Sequence, residues 1–411
     1  MRKARILIVN DSLNVGGAER VAVDIANTLD RDTYQVTFCS TRHGGPLEVR
    51  ISPDVKLTIL GRRATWDLVK MVEFARMVRA EGVDLIHSHG RGTTKFVALA
   101  RALGLIDVPI VFHDHFGWLH IDRTASPGLR FALRREIDAY IGVDGRLCDW
   151  ATNTVGLPAD RVHLVRSGVD LGRFSGVEAL DLHRTFDLPS GSIAVVMIAN
   201  FRPQKDHPTL FQTIAALPTE LAATMRLLIV GSTDADTAYF DGCRAMISRL
   251  GIDHLVHLAG PVNDVPSLLS GADAAVLSSK NETGPLAVLE YMASGLPFVA
   301  TETGEIAHAV RDSGVGLLVE PRDYLALADA LSDLLAMTPA DRQAMGSRGR
   351  RLVEQQFEQS HAIREVEKIY RLLLSSSVES LAWGQGHAGS RGGAGRATSP
   401  WTQSGVTQRG R

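Results

Sequence analysis

Cysteine is scarce in this chain. The three residues, Cys39, Cys148 and Cys243, are widely separated. They form neither a disulfide framework nor a zinc-binding spacing, which points to a reducing compartment. Long apolar runs are also missing: none reaches the ~18 residues that a membrane-spanning helix needs. Nor does either charge dominate. Lys and Arg number 44 against 46 Asp and Glu, a net charge of −2, which argues against bulk nucleic-acid binding. The start, Met1-Arg2-Lys3-Ala4-Arg5, is basic, but the apolar stretch after it is too short for a signal peptide and reads as a first strand. The expectation is a cytoplasmic protein.

The content is 45% hydrophobic and 22% charged, as in a soluble globular protein. A length of 411 residues exceeds one ordinary core and suggests two domains. Short apolar strands alternate with amphipathic helical stretches, which implies α/β architecture with parallel sheets covered on both faces. Strands are expected at 5–9, 35–40, 85–87, 110–113 and 139–143, then again at 193–199, 226–230, 256–258, 274–278 and 298–301. The pattern thus occurs twice, as two Rossmann-like halves with a linker at about 175–190. Residues 375–411 are rich in Gly, Ser, Arg and Thr and read as a disordered tail.

The most informative stretch is Ser279-Lys280-Asn281-Glu282-Thr283-Gly284-Pro285-Leu286-Ala287-Val288-Leu289-Glu290. Glu282 and Glu290 stand eight positions apart, a little over two helical turns, which would put both near one face. Gly284 and Pro285 oppose one continuous helix, so Glu282 is expected on a loop and Glu290 about a turn into a helix. A loop that opens a helix offers free N–H groups and the positive end of the helix dipole, which suits a phosphate. Carboxylates beside a phosphate suit hydroxyl groups. A ligand with both is a nucleotide sugar.

Other groups fit that cleft or have plainer readings. Gly16-Gly17-Ala18-Glu19-Arg20 follows the first strand and opens a helix, so it is either a ligand loop or a tight turn. It lacks the full G-x-G-x-x-G spacing. His87-Ser88-His89 and His113-Asp114-His115 end strands, where doubly wound sheets bind ligands. They could line the cleft, serve as structural histidines, or hold a metal; the reading adopted is a cleft role with no metal ligand. Arg202 and Lys205 lie at the mouth of the first strand of the second half, where two cations would neutralise a diphosphate. Asp234-Ala235-Asp236 reads as a solvated loop rather than a metal site. Segment 62–79 is basic and amphipathic, with Trp66, Val69, Val72, Phe74 and Met77 among Arg62, Arg63, Lys70, Arg76 and Arg79. It is either a solvated helix face or a contact with an anionic membrane or a lipid-linked acceptor.

Over nearly all of residues 4–374 the chain resembles a retaining glycosyltransferase of family 4, in the GT-B class. The glycine loop at 16–20 carries the resemblance, with Val108-Pro109-Ile110-Val111-Phe112-His113-Asp114-His115, Ser167-Gly168-Val169-Asp170 through Phe174, Arg202-Pro203-Gln204-Lys205, the pair of glutamates, and Thr303-Gly304-Glu305-Ile306. It implies an acceptor-binding domain at 1–175, a nucleotide-sugar domain at 190–355, and a helix at 356–374 crossing back to the first domain. Glu290 would bind ribose hydroxyls, Glu282 the donor sugar, and Arg202 and Lys205 the diphosphate. His115 would be the active-site histidine. Gly17, Thr283, Gly284, Pro285 and Leu286 would border the donor, and Gly16, Gly17, His89 and His113 the acceptor. Two positions depart from the family pattern: Ser167 stands where Asn is usual, and Thr283-Gly284-Pro285 replaces Gly-Phe-Gly or Gly-Phe-Pro.

The resulting expectation is transfer of a sugar from a UDP- or GDP-sugar to an acceptor hydroxyl with no required cofactor. A sugar or lipid-linked acceptor is the expected partner, with peripheral contact at the inner membrane surface. A nucleotide-sugar epimerase that hydrolyses its substrate, a metal hydrolase built on the histidines, and a silent nucleotide-sugar-binding subunit are the alternatives.

Overall fold

The computed structural model describes residues 2–117, 124–234, 236–311 and 313–386. The first domain holds a seven-stranded sheet in the order β3-β2-β1-β4-β5-β6-β7. Its strands are β1 Ala4–Ser12, β2 Tyr34–His43, β3 Lys56–Ile59, β4 Leu85–His89, β5 Ile110–Asp114, β6 Ala139–Gly142 and β7 Val162–Leu164. The second domain holds six strands in the order β10-β9-β8-β11-β12-β13. These are β8 Ile193–Ile198, β9 Met225–Val230, β10 Val256–Gly260, β11 Ala274–Leu277, β12 Phe298–Thr301 and β13 Leu317–Val319. Neighbouring strands pair in parallel throughout. The ten expected strands are all present, with small shifts at their ends.

The order reverses between β1 and β4 and between β8 and β11. At such a switch point the loops after the strands diverge and leave a crevice at the carboxyl ends. β1 is central in its sheet, and Leu7, Ile8 and Val9 are fully buried, because helices cover both faces.

The two domains are joined where two chain crossings touch. The Val169 N–H donates to the Phe357 carbonyl at 2.9 Å, and the Gln359 N–H donates to the Val169 carbonyl at 3.1 Å. A Cβ on Gly168 would lie 2.7 Å from the Gln359 Cα, so only glycine fits this crossing. The expected linker at 175–190 is not a free tether: Phe174, Leu182 and Leu188 are buried in the core of the second domain. The crossover therefore lies earlier, at 168–169.

The last helix, Gln359–Gly386, packs Ile363, Val366, Ile369 and Tyr370 against the sheet of the first domain. That spacing puts all four on one helical face. The helix also corrects the expected tail, since residues 375–386 continue it. No glycine or proline interrupts the chain before Gly384. Residues 387–411 lie outside the described residues.

Candidate active site

The cleft lies between the carboxyl ends of the two sheets. From the second domain, Glu282 sits on the loop after β11. Pro285 caps the helix Leu286–Ala293, and Glu290 is its fifth residue. A loop-then-helix geometry therefore separates the two carboxylates, as the spacing with Gly284 and Pro285 predicts.

Each carboxylate is held by a cation. Lys205 Nζ donates to Glu282 Oε1 at 2.5 Å, and the Ser279 hydroxyl donates to the same oxygen at 2.7 Å. Arg20 of the first domain donates to Glu290 Oε1 at 3.0 Å. Glu290 is 3% exposed, and its Oε2 is buried without a partner among the described residues. An open acceptor atom of this kind, beside the cleft, is suited to a hydroxyl donor. In sequence Arg20 is one more charge in the glycine loop, because its partner is 270 positions away.

The cations expected at the phosphates divide. Arg202 is exposed at the N-terminal end of the turn Pro203–Lys205, and Lys205 is half-buried. The turn ends at Asp206, which is in the left-handed region at φ 51°. Asp206 pairs with Lys280 at 3.1 Å, fixing the turn against the loop that carries Glu282.

Gly16 caps the helix Gly17–Thr28 and Gly17 opens it. A Cβ on Gly17 would lie 3.9 Å from Leu286 Cδ1, so the glycine loop faces the start of the Glu290 helix across the cleft. Asn200 Nδ2 donates to the Val15 carbonyl at 3.0 Å on the same seam. The two departures from the family pattern meet: a Cβ on Gly284 would lie 2.9 Å from Ser167 Oγ. Gly304, at φ 76°, lies against the Thr283 carbonyl and opens the helix Glu305–Val310.

Further contacts bridge the domains beside the site. Arg146 donates to the Glu282 carbonyl at 2.6 Å. Glu305 accepts from the Gly145 N–H at 2.9 Å and from Arg166 at 2.8 Å. Burial pushes the Glu305 carboxyl up, but those two donors outweigh it and hold the group below its usual range. Arg146, Arg166 and this role of Glu305 were not foreseen, because an arginine reads as surface charge until its distant partner is known.

Four histidines crowd the ends of β4 and β5. His115 is half-buried at the cleft side, and burial brings its pKa down to about 3. It is a neutral imidazole at physiological pH and can donate or accept one hydrogen bond. His89 and His113 are 0% and 2% exposed. Both are buried, and His89 Nδ1 contacts His115 Nε2 at 3.1 Å, so in this structure His115 is the histidine of the group with the most exposed surface. His87 is also 0% exposed and pairs with the Tyr370 hydroxyl at 2.6 Å.

Other sequence expectations resolve as structural. Asp236 caps the helix Thr237–Leu250 by accepting from the Tyr239 N–H at 3.0 Å. Arg62 is 4% exposed and pairs with Asp11, so it does not belong to the basic face expected at 62–79. The helix there is Leu68–Ala80, and it buries Met71, Phe74, Ala75 and Val78. Trp66, Leu68 and Val69 are exposed at 73%, 59% and 76%. No helix among the described residues is long and apolar enough to cross a membrane.

Residues 15–173 match the model of Glycosyltransferase Family 4, and residues 181–352 match that of Glycosyl transferases group 1. The two matches follow one another and divide between residues 173 and 181, just after the crossover at 168–169. The chain is a family 4 glycosyltransferase with the GT-B fold. It is 25% identical over 87% of its length, and 94% of the relative's, to the N-acetyl-alpha-D-glucosaminyl L-malate synthase of Bacillus anthracis. It is 31% identical to the D-inositol 3-phosphate glycosyltransferase of Salinispora tropica, over 51% of this chain and only 46% of that relative. Among solved structures, Anabaena HepE in complex with UDP and glucose superposes with a TM-score of 0.76 at 20% identity. That match covers 90% of this chain and 100% of the other. Sucrose-phosphate synthase from Thermosynechococcus elongatus gives 0.77 at 20% identity, over 91% of this chain and 100% of that one. For this glycosyltransferase, then, the two sheets are the two halves of the GT-B fold, and the cleft that brings Glu282, Lys205 and Glu290 to Gly17 lies between them.

Proposed function

We propose that the enzyme moves a sugar from a UDP- or GDP-sugar to an acceptor hydroxyl with retention of anomeric configuration. The observation that carries this reading is the segment 282–290. It sets one carboxylate beside Lys205 and a second, with a free buried oxygen, beside the glycine loop of the other domain.

In this reading Glu290 accepts hydrogen bonds from the ribose and Glu282 from the donor sugar. Lys205 and Arg202 take the diphosphate, and the Thr283, Gly284, Pro285 and Leu286 backbone borders it. Gly17 gives the phosphates room, and Gly16 shapes the acceptor side. As the bond from C1 to the phosphate oxygen breaks, charge grows on that oxygen, where two cations stabilise it. The acceptor oxygen attacks C1 from the same face, and its proton passes to the departing phosphate. His115, neutral, positions the sugar. No metal or cofactor takes part in these steps. Closure of the domains, tied by Arg20, Arg146 and Glu305, excludes water and limits hydrolysis.

The UDP complexes among the structural neighbours favour a uridine nucleotide. For the acceptor, the exposed Trp66, Leu68, Val69 and Val72 beside Arg63 support a polysaccharide precursor, lipopolysaccharide or glycolipid met at an anionic membrane face. The names of the sequence relatives support a second class, small acids and phosphates such as malate and inositol phosphate. Co-sedimentation with anionic and neutral vesicles separates the two. Binding to anionic vesicles, lost in Trp66→Ser/Val69→Ser, supports the first; absence of binding with turnover on a soluble acceptor supports the second.

The test of the donor reading is a thermal-shift panel of UDP-, GDP- and ADP-sugars, followed by product analysis with acceptors. A UDP- or GDP-sugar that raises the midpoint and is consumed only with acceptor supports transfer. Complete turnover without acceptor would establish the hydrolysing epimerase instead, and binding with no turnover on any acceptor the silent subunit.

A further inference from the structure

The histidine cluster holds more nitrogen atoms than the transfer reading uses. β4 and β5 are adjacent and parallel, with His89 opposite His113. Residues two apart on a strand share a face, so His87, His89, His113 and His115 all project to one side of the sheet. Their rings crowd together, with centroids 4.4 Å apart for His87–His89 and for His113–His115, and 5.1 Å for His89–His113.

Packing alone does not account for this. Among the described residues, His87 Nε2, His89 Nε2 and both ring nitrogens of His113 are buried with no hydrogen-bond partner. Each such atom costs ~1–3 kcal/mol when left unsatisfied. Apolar side chains would fill the same space without that cost.

The partnered nitrogens say which atoms are free for another task. His87 Nδ1 contacts the Tyr370 hydroxyl at 2.6 Å, and His89 Nδ1 contacts His115 Nε2 at 3.1 Å. In both rings Nδ1 is engaged and Nε2 is left over. A metal-bound imidazole has this arrangement: one nitrogen ligates while an outer partner orients the other.

We propose that His87, His89 and His113 bind one divalent transition-metal ion of the class that imidazole favours, such as zinc or cobalt. One nitrogen from each residue lies within 4.8 Å of the others. A point equidistant from three atoms at that limit is about 2.8 Å from each, against ~2.0–2.1 Å for a zinc–nitrogen bond. The His87 and His113 rings lie parallel, 4° apart, so binding requires them to turn about their Cβ–Cγ bonds until one nitrogen of each faces the ion. His113 also lines a small cavity with Asp24, Ser167 and Gln359. A water molecule would complete the tetrahedron.

The role is structural. The ion ties β4 to β5 and, through Tyr370, to the helix Gln359–Gly386. It takes no part in transfer, so it stands or falls separately from the donor reading.

The test uses full-length protein with its affinity tag removed, stripped with chelator and titrated with Co²⁺. Binding is read by visible d–d absorption and by elemental analysis after dialysis against Zn²⁺. The expected result is one equivalent per chain and a raised melting midpoint. His89→Ala and His113→Ala should lose binding by more than 100-fold, while His257→Ala keeps it. Tyr370→Phe, which preserves the packing, should weaken binding ~10–100-fold through loss of the outer partner. Absence of stoichiometric binding in the parent, or binding equal to the parent's in His89→Ala and His113→Ala, would overturn the proposal.

Discussion

Arg20 and Glu290 form an ion pair at 3.0 Å across the domain cleft, with the side chains 17% and 4% exposed. One residue lies in the first turn of the helix Gly17–Thr28 of the first domain, and the other lies on the helix proposed to hold the nucleotide. The pair thus connects domain closure to the donor site. Glu290→Ala removes a charged acceptor from the ribose, worth ~1.5–3 kcal/mol. Nucleotide affinity should fall by about 10- to 150-fold, measured by calorimetry with UDP and UDP-sugars. Unchanged affinity would remove Glu290 from the site.

Lys205→Ala should act mainly on turnover. Its ammonium sits 2.5 Å from Glu282 and is proposed to meet charge that grows on the leaving phosphate. Removal of such a donor lowers kcat by ~10²–10³. A rise in KM with kcat preserved would assign Lys205 to ground-state binding only.

Gly284 and Ser167 should prove coupled. A Cβ on Gly284 would meet Ser167 Oγ at 2.9 Å and Ser167 Cβ at 3.5 Å. Gly284→Ala should therefore reduce activity, and Ser167→Gly should restore most of it. A double-mutant cycle should give an interaction energy of ~0.5–3 kcal/mol. Additive effects would mean that the two departures from the family pattern are independent.

Acid should destabilise the protein more than its carboxylates alone require. Burial holds His115 and His207 at about 3, and burial with their histidine neighbours holds His87, His89 and His113 well below 6.5. A folded pKa below the unfolded one means that the unfolded chain binds more protons in between, so stability rises with pH there. This contribution is complete above about pH 6.5 and is lost progressively as pH falls below it. Urea denaturation at pH 7.5, 6.0 and 5.0 measures the slope. A flat profile would show that the histidines are solvated.

Much of the fold was legible because it rests on local signals. The apolar cores of β1, β8 and β9 and the turn residues around them fixed the alternation. The missed strands β3, β7 and β13 have only 4, 3 and 3 residues. They add onto a sheet already formed; β13 is apolar throughout, Leu317-Leu318-Val319, but too short to stand out as a strand. The site was legible where one short segment carries it, as in 282–290. It was not legible where tertiary structure pairs distant residues. Arg62 reads as a basic surface residue, yet it is buried against Asp11, 51 positions away. His89 and His113 read as cleft residues because they end strands, and their burial beside His87 and His115 is set by the pairing of β4 with β5.

The central claim is that the segment 282–290 binds a nucleotide sugar. Its most direct test is the melting midpoint of the parent, Glu282→Ala and Glu290→Ala proteins with UDP-, GDP- and ADP-sugars. The account predicts a rise of several degrees for the parent with a UDP- or GDP-sugar and little or none for either variant. No rise in the parent with any of them, or equal rises in all three proteins, would contradict it.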